Sequence, residues 1–381
     1  MNKTIAVLGA TGSVGTQALD VARQRGYKVS FLSSHSNIID TERAAREFMP
    51  SAVAMSDESA ARDLRTRLAD TPVRVYSGSE GITEGISECD FDVAVNSILG
   101  EAGLLPSLAV IEKGKRLALA NKESLVIAGD IVMSKAKTKG VEILPVDSEH
   151  SAIFQSLLSG RQQEIKRIIL TASGGPFFGK SREDLLKVTL ADTLAHPTWK
   201  MGRKITVDSA TLMNKGFEVI EAVHLFGVSQ DKIEVTVHRQ SILHSAVEYV
   251  DNSIIGEFSL PDMRMCVQYA VDYPDRLPSM LEPLDLFKVG TLSFERPDTE
   301  AFPLLALAKR AAELGGAMGA VLNAADEVAV DAFLREKLSF VGISDTVSEC
   351  FERMTDCRSI RDLDGIIAAD REARALTRSL I

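Results

Sequence analysis

Asn214, Lys215 and Glu218 fall within a stretch, His196 to Ala222, that reads HPTWKMGRKITVDSATLMNKGFEVIEA. Residues three and four apart on a helix share a face, so an amide, an ammonium and a carboxylate lie on one stripe. Two more carboxylates, Asp147 and Glu149, follow the apolar run Val141 to Val146. Residues two apart on an extended chain point the same way, and two like charges about 4 Å apart repel by roughly 4 kcal/mol at an effective dielectric near 20. A hard divalent cation, Mg²⁺ or Mn²⁺, relieves that repulsion, and Glu218 can complete an all-oxygen set of three carboxylates. Spacing leaves a plainer alternative open, in which Asp147 or Ser148 caps a helix and Glu149 lies in its first turn.

These residues need elements to position them. Val207 ends a short β-like run, and Asp208 or Ser209 is placed to cap a helix that continues to about Leu225. Leu212, Gly216, Val219 and Val223 form its apolar stripe, and the plain reading of such a pattern is a surface helix with one face in water. Gly216 costs that helix roughly 1 kcal/mol relative to Ala. The loop before it carries His196, Trp199, Met201, Gly202 and Arg203, and an exposed Trp and Met are unfavourable there unless they cover something.

At the other end of the chain, the apolar strand Thr4 to Leu8 runs into Gly9-Ala-Thr11-Gly12-Ser13-Val14-Gly15 and then a helical run from Thr16 to Arg25. Strand, glycine-rich turn and helix at this spacing form a dinucleotide-binding βα unit, with the pyrophosphate at the helix N-terminus. A second strand, Lys28 to Ser33, ends in Ser33, Ser34, His35, Ser36 and Asn37. No carboxylate there selects the ribose of NAD, and the hydroxyl and amide donors favour the 2′-phosphate of NADP. Strands follow at Ala52 to Met55, Arg74 to Tyr76, Val93 to Ser97 and Arg116 to Ala120, which predicts a parallel, doubly wound sheet to about residue 145. Lys122 and Glu123 stand at the carboxyl end of one of those strands, where open α/β sheets place ligand chemistry.

Beyond it, Lys166 to Thr171 opens into Ala172-Ser173-Gly174-Gly175-Pro176-Phe177, an anion cradle or simply a turn. Glu234 to Val237, Ala246 to Val250 and Ser253 to Leu260 read as an antiparallel set, and the proline-rich 274–297 stretch as a linker. Four helical runs, Leu304 to Leu314, Leu322 to Glu336, Ser344 to Met354 and Ser359 to Ser379, make a small bundle.

Composition bounds the function. The chain has 381 residues, 45% apolar and 25% charged, as in globular proteins of two or three domains. Its net charge of -10, from 43 basic and 53 acidic residues, argues against nucleic acid as the main partner. No apolar run approaches the roughly 20 residues of a membrane span, and no signal-peptide pattern opens the chain, so a cytoplasmic protein is expected. Cys89, Cys266, Cys350 and Cys357 form no CxxC pair and are expected to be reduced thiols.

Taken together, GATGSVGTQALDV, LANKESLV, PVDSEHSA, TASGGPF, HPTWKMGRKITVDSATLMNKGFEVIEA and LNAADEVAVDAFL resemble the 1-deoxy-D-xylulose 5-phosphate reductoisomerase family from end to end. The resemblance implies NADPH-dependent, metal-dependent conversion of a pentulose phosphate to 2-C-methyl-D-erythritol 4-phosphate for isoprenoid precursors, by a homodimer. It implies an NADPH-binding domain over 1–146, a catalytic and dimerisation domain over 147–273, a linker over 274–298 and a helical bundle over 299–381. The family's metal ligands fall on Asp147, Glu149 and Glu218, and its phosphate contacts on Ser173, Ser209, Asn214 and Lys215. Lys122, Glu149 and His196 take catalytic places, Ser148 and Trp199 join the substrate residues, and 196–202 matches a mobile lid. Thr11, Gly12, Ser13, Val14, Ser34, Asn37, Asn121, Glu123 and Gly202 fall around the cofactor. Two departures stand out: many members carry Lys or Arg in the Ser33 to Asn37 run, and Asp326 replaces a commoner Asn. Semialdehyde dehydrogenases share the GATGxVG opening but need a nucleophilic Cys. A non-catalytic dinucleotide sensor would leave the carboxylates unexplained.

Overall fold

The computed structural model of the chain describes residues 3–195, 199 and 201–381. The chain divides into two compact units, the first formed by Met1–Ser124, Val132–Ser151 and Asp262–Glu282, the second by Leu125–Ile131, Ala152–Pro261 and Pro283–Ile381.

In the first unit, β1 (Thr4–Leu8), β2 (Lys28–Ser34), β3 (Ala52–Met55), β4 (Arg74–Ser77), β5 (Val93–Asn96), β6 (Arg116–Leu119) and β7 (Ile143–Pro145) form one sheet. Its order is β4-β3-β2-β1-β5-β6-β7 and every pairing is parallel. The order reverses between β1 and β5, the place where doubly wound sheets open a crevice at their carboxyl ends. Helices on the connections bury both faces, so the strands read as continuous apolar runs and Ile5, Val7, Leu8, Phe31 and Phe91 are fully buried. The Met263–Asp272 helix also belongs here. Arg264 bonds Asp20 at 3.0 Å, and Tyr27 donates to buried Asp272 at 2.5 Å, both tying it to the region of the Ser13–Arg25 helix.

The second unit carries β8 (Ile165–Ala172), β9 (Ile233–Val237), β10 (Leu243–Tyr249) and β11 (Ile254–Phe258) in the order β11-β10-β8-β9. Of the expected antiparallel set, β10 and β11 pair as expected; β10 is also antiparallel to β8, but β9 does not join β10 and runs parallel to β8. The helices between β8 and β9 return the chain to the same end of the sheet, and a crossover of that kind imposes parallel pairing. The proline-rich stretch is not featureless: Glu295 pairs with Val237 through two backbone hydrogen bonds of 2.8 and 2.9 Å. The four C-terminal helices are Leu304–Leu314, Met318–Leu334, Phe340–Arg353 and Leu363–Leu380. The second begins earlier than expected because Gly315 and Gly316, both at positive φ, turn the chain within two residues. Among the described residues no helix is long and apolar enough to cross a membrane.

The stretch around Asn214 departs most from expectation. The supposed β-like run is helical, Arg203–Ala210, and the chain breaks at Leu212 (φ 60°) before a second helix, Met213–Phe226. Ile205, Thr206 and Val207 are β-branched, which suggests strand, yet Thr206 satisfies its hydroxyl on Gly202 O at 2.8 Å and stays helical. Asp208 and Ser209 therefore lie inside a helix and do not cap one. Nor is Met213–Phe226 a surface helix: Lys215, Glu218 and Glu221 are buried along with Phe217, Val219 and Ile220, while Val223 is only half-buried.

Gly216 explains its own cost. A Cβ there would stand 2.6 Å from the Ala308 Cβ on the Leu304–Leu314 helix. Gly216→Ala gains roughly 1 kcal/mol of helix propensity but incurs overpacking of typically 1–3 kcal/mol. We expect net destabilisation, read as a lower urea midpoint at unchanged m-value; a raised midpoint would mean the helices can part freely.

Candidate active site

The βα turn is shaped by contact. Gly9 sits at φ 81°, and a Cβ on it would lie 2.7 Å from Ser97 O. A Cβ on Gly15 would lie 2.1 Å from Gly9 O, so the Ser13–Arg25 helix can approach β1 only through glycine. Thr11 and Gly12 form the turn, Ser13 and Val14 the first helical residues, and Gly12 gives its helix no side-chain cap. Uncapped N–H groups at the carboxyl edge of β1 suit a pyrophosphate. At the end of β2, the Ser34 hydroxyl is buried and has no hydrogen-bond partner among the described residues. A buried hydroxyl without a partner fits a bound ligand that supplies one. Asn37 caps the Ile38–Phe48 helix, accepting from Asp40 N at 3.1 Å.

At the end of β6, the Asn121 amide donates to Ile98 O (2.8 Å), Gly100 O (2.9 Å) and Glu123 (2.8 Å), and its carbonyl accepts from Ser124 N (3.1 Å). That network locks the turn and places Lys122, 6% exposed, in an ion pair with Asp147 beyond β7. The extended geometry expected for Asp147 and Glu149 is corrected here. Ser148–Leu157 is a helix with Glu149 in its first turn, accepting from the Ser148 hydroxyl at 2.6 Å. Residues two apart on a helix are about 200° apart, so they do not share a face by strand alternation. His150, three on from Asp147 and fully buried, offers a ligand atom within 4.8 Å of an Asp147 oxygen. Sequence reasoning passed over it, although the i,i+3 spacing in PVDSEHSA was the available signal.

The second unit carries the remaining residues. Ser173 follows β8, and Gly175 N approaches its hydroxyl at 3.4 Å. A Cβ on Gly175 would lie 2.7 Å from Ser209 O, so the 173–175 turn rests on the last turn of the Arg203–Ala210 helix. One helix on, Asn214 donates to Glu218 at 2.6 Å and Lys215 pairs with the same carboxylate. Lys215 is 4% exposed and Glu218 1%, so this stripe is a buried charge cluster. Gly202 precedes the Arg203–Ala210 helix as its N-cap, and the Trp199 ring meets buried His244 edge-on at 6.2 Å. His244 is a second residue the sequence did not single out, since a lone His in a strand carries no spacing signal. His196 lies outside the described residues.

The rival that needs a thiol nucleophile finds none at Cys89, which is buried and whose thiol burial pushes up.

A doubly wound sheet with this glycine turn defines a dinucleotide-binding α/β enzyme. The profile of 1-deoxy-D-xylulose 5-phosphate reductoisomerase matches residues 5–129, that of its C-terminal domain residues 143–226, and that of the DXP reductoisomerase C-terminal domain residues 258–376. The chain is 51% identical to 1-deoxy-D-xylulose 5-phosphate reductoisomerase of Acetivibrio thermocellus, covering 100% of both chains. It is 50% identical to that of Caldanaerobacter subterraneus subsp. tengcongensis, over 98% of this chain and 97% of the other. Among solved structures, a DOX-P reductoisomerase in complex with NADPH, fosmidomycin and magnesium is 38% identical, with TM-score 0.95 and coverage of 99% and 98%. The Zymomonas mobilis enzyme in complex with NADPH is 40% identical, with TM-score 0.92 and coverage of 100% and 99%. The chain belongs to the 1-deoxy-D-xylulose 5-phosphate reductoisomerase family.

If the end of β2 reads the 2′-phosphate through neutral donors, a carboxylate there repels it. Ser34→Asp should invert the preference for NADPH over NADH, measured as the ratio of kcat/KM values; an unchanged ratio would place 2′-phosphate recognition elsewhere.

Proposed function

We propose that the protein converts 1-deoxy-D-xylulose 5-phosphate to 2-C-methyl-D-erythritol 4-phosphate with NADPH and a divalent cation, in the non-mevalonate route to isoprenoid precursors. The observation that carries the reading is the pairing of buried Lys215 and Glu218 beside half-buried Asn214, because an ammonium and a carboxylate enclosed in one helical turn have a strong use at a charged ligand. When bound, the cation supplies Lewis acidity at the substrate's ketone and neighbouring hydroxyl, and NADPH supplies the hydride.

The chain's own residues then have separable tasks. Lys215, Asn214, Ser209 and Ser173 bind the substrate phosphate, three of them as neutral donors and Lys215 as a point charge. Asp147, Glu149 and Glu218 hold the cation, with Ser148 orienting Glu149 through the hydrogen bond it already makes. Lys122 steadies Asp147 and keeps a proton source beside it. Trp199 excludes water, and His196 joins it at the substrate. Thr11, Gly12, Ser13, Val14, Ser34, Asn37, Asn121, Glu123 and Gly202 surround the cofactor. Residues 1–146 serve NADPH and 147–273 catalysis and dimer formation, the Met263–Asp272 helix of the latter packing in the first unit, and 299–381 form a helical bundle after the 274–298 linker. Manganese as an alternative to magnesium, a homodimer, a cytoplasmic location and the absence of a nucleic-acid partner belong to the same proposal, and family resemblance and composition support them.

The assay is NADPH oxidation with the pentulose phosphate, with and without Mg²⁺ or Mn²⁺. Glu218→Gln should cut turnover by about 10²-fold or more while NADPH binding is retained. Full activity in that variant across a Mn²⁺ titration would overturn Glu218 as a ligand, and metal-independent turnover would overturn the reaction.

A further inference from the structure

The LNAADEVAVDAFL motif has no place in the chemistry above, yet one of its residues is tied to the phosphate end of the site. The Arg203–Ala210 helix has 8 residues, fewer than the roughly 12–15 at which an isolated helix becomes marginally stable. Gly202 gives it no side-chain cap. Its position is therefore set by what it touches. The Lys204 ammonium donates to Asp208 at 2.7 Å, one turn along, and to Asp326 at 2.6 Å on the Met318–Leu334 helix. It also lies over the Phe217 ring, 5.0 Å from the centroid. Asp326 is fully buried; burial pushes its carboxyl up and Lys204 draws it back.

We propose that Lys204, held by Asp326, is the positioning residue that sets the phosphate-binding end of the site, acting through the helix it sits on. The inference rests on the reading of Ser173 and Ser209 as phosphate contacts. Ser209 lies on the same helix, and the 173–175 turn packs on its last turn, where a Gly175 Cβ would meet Ser209 O at 2.7 Å. A shift of the helix therefore moves both hydroxyls together. Apolar side chains of similar volume would fill this space with equal or better stability. An ammonium pinned between two carboxylates adds what they cannot, a single register for the helix. Asn at 326 would still offer Lys204 an accepting oxygen, whereas an apolar residue would not.

The test compares Lys204→Met, Asp326→Leu and Asp326→Asn for KM and kcat with the pentulose phosphate, for NADPH affinity, and for inorganic phosphate binding by calorimetry. Lys204→Met and Asp326→Leu should raise KM about tenfold or more and weaken phosphate binding in proportion, with kcat within about threefold and NADPH affinity, to which this helix brings its N-cap Gly202, lowered far less than phosphate affinity. Asp326→Asn should rescue, with KM within about threefold of the unaltered chain. If either single variant fails to fold, the double variant Lys204→Met with Asp326→Leu, an apolar replacement of the pair, carries the same comparison. Unchanged KM and phosphate binding in a folded variant, an equal loss of NADPH affinity, or an Asp326→Asn as impaired as Lys204→Met would each overturn the proposal. If the unaltered chain binds phosphate but does not turn over the pentulose phosphate, the functional reading fails while the phosphate comparison still decides the positioning role. If it binds no phosphate, both fail.

Discussion

A carboxylate taken out of water has to be matched by a cation, and the candidate site of this chain is arranged around that requirement. Asp147 is matched by Lys122 in the first unit; in the second, Glu218 is matched by Lys215, and Asp208 and Asp326 by Lys204. Every match is a lysine. On the exposed surface the partners are mostly arginines, as in Arg46 with Asp70 and Arg23 with Glu47. The difference has a chemical reason. Guanidinium pairs are forked and directional, while an ammonium is a compact point charge on a flexible stem that can change partners. Lysine thus neutralises a buried carboxylate without committing it, which suits the phosphate and divalent cation proposed for these residues.

Close backbone approach supplies the rigidity that those charges need. Gly9 lets the turn after β1 pass close to Ser97, Gly15 lets the first helix press on that turn, Gly175 lets the Ser173 turn press on the Ser209 turn, and Gly216 brings Met213–Phe226 against Leu304–Leu314. A methyl at any of these positions would meet another group within 2.1–2.7 Å. The residues proposed for the cofactor and those proposed for the phosphate are thereby each built on packed backbone, so small displacements there would reach a ligand directly.

The doubly wound sheet was legible because its strands are apolar on both faces and are punctuated by glycine, a pattern that leaves few other folds open. The stretch proposed to bind phosphate was less so. Ile205-Thr206-Val207 carries strand propensity that tertiary packing overrides, and no local signal marks Leu212 for the left-handed conformation that separates the two helices. Asn214, Lys215 and Glu218 were nevertheless found, since their spacing lies wholly within the second helix. Asp326 was named only as a departure from family pattern. Its partner Lys204 lies 122 residues away, and no spacing rule reaches that far.

The central proposal is that Asp147, Glu149 and Glu218 hold a divalent cation, and direct Mn²⁺ binding tests it without reference to turnover. In an EPR titration of free Mn²⁺, the account predicts saturable binding of about one ion per chain, competed by Mg²⁺ and lost in a folded Glu218→Gln variant. No saturable binding, or binding that survives that substitution undiminished, would contradict it.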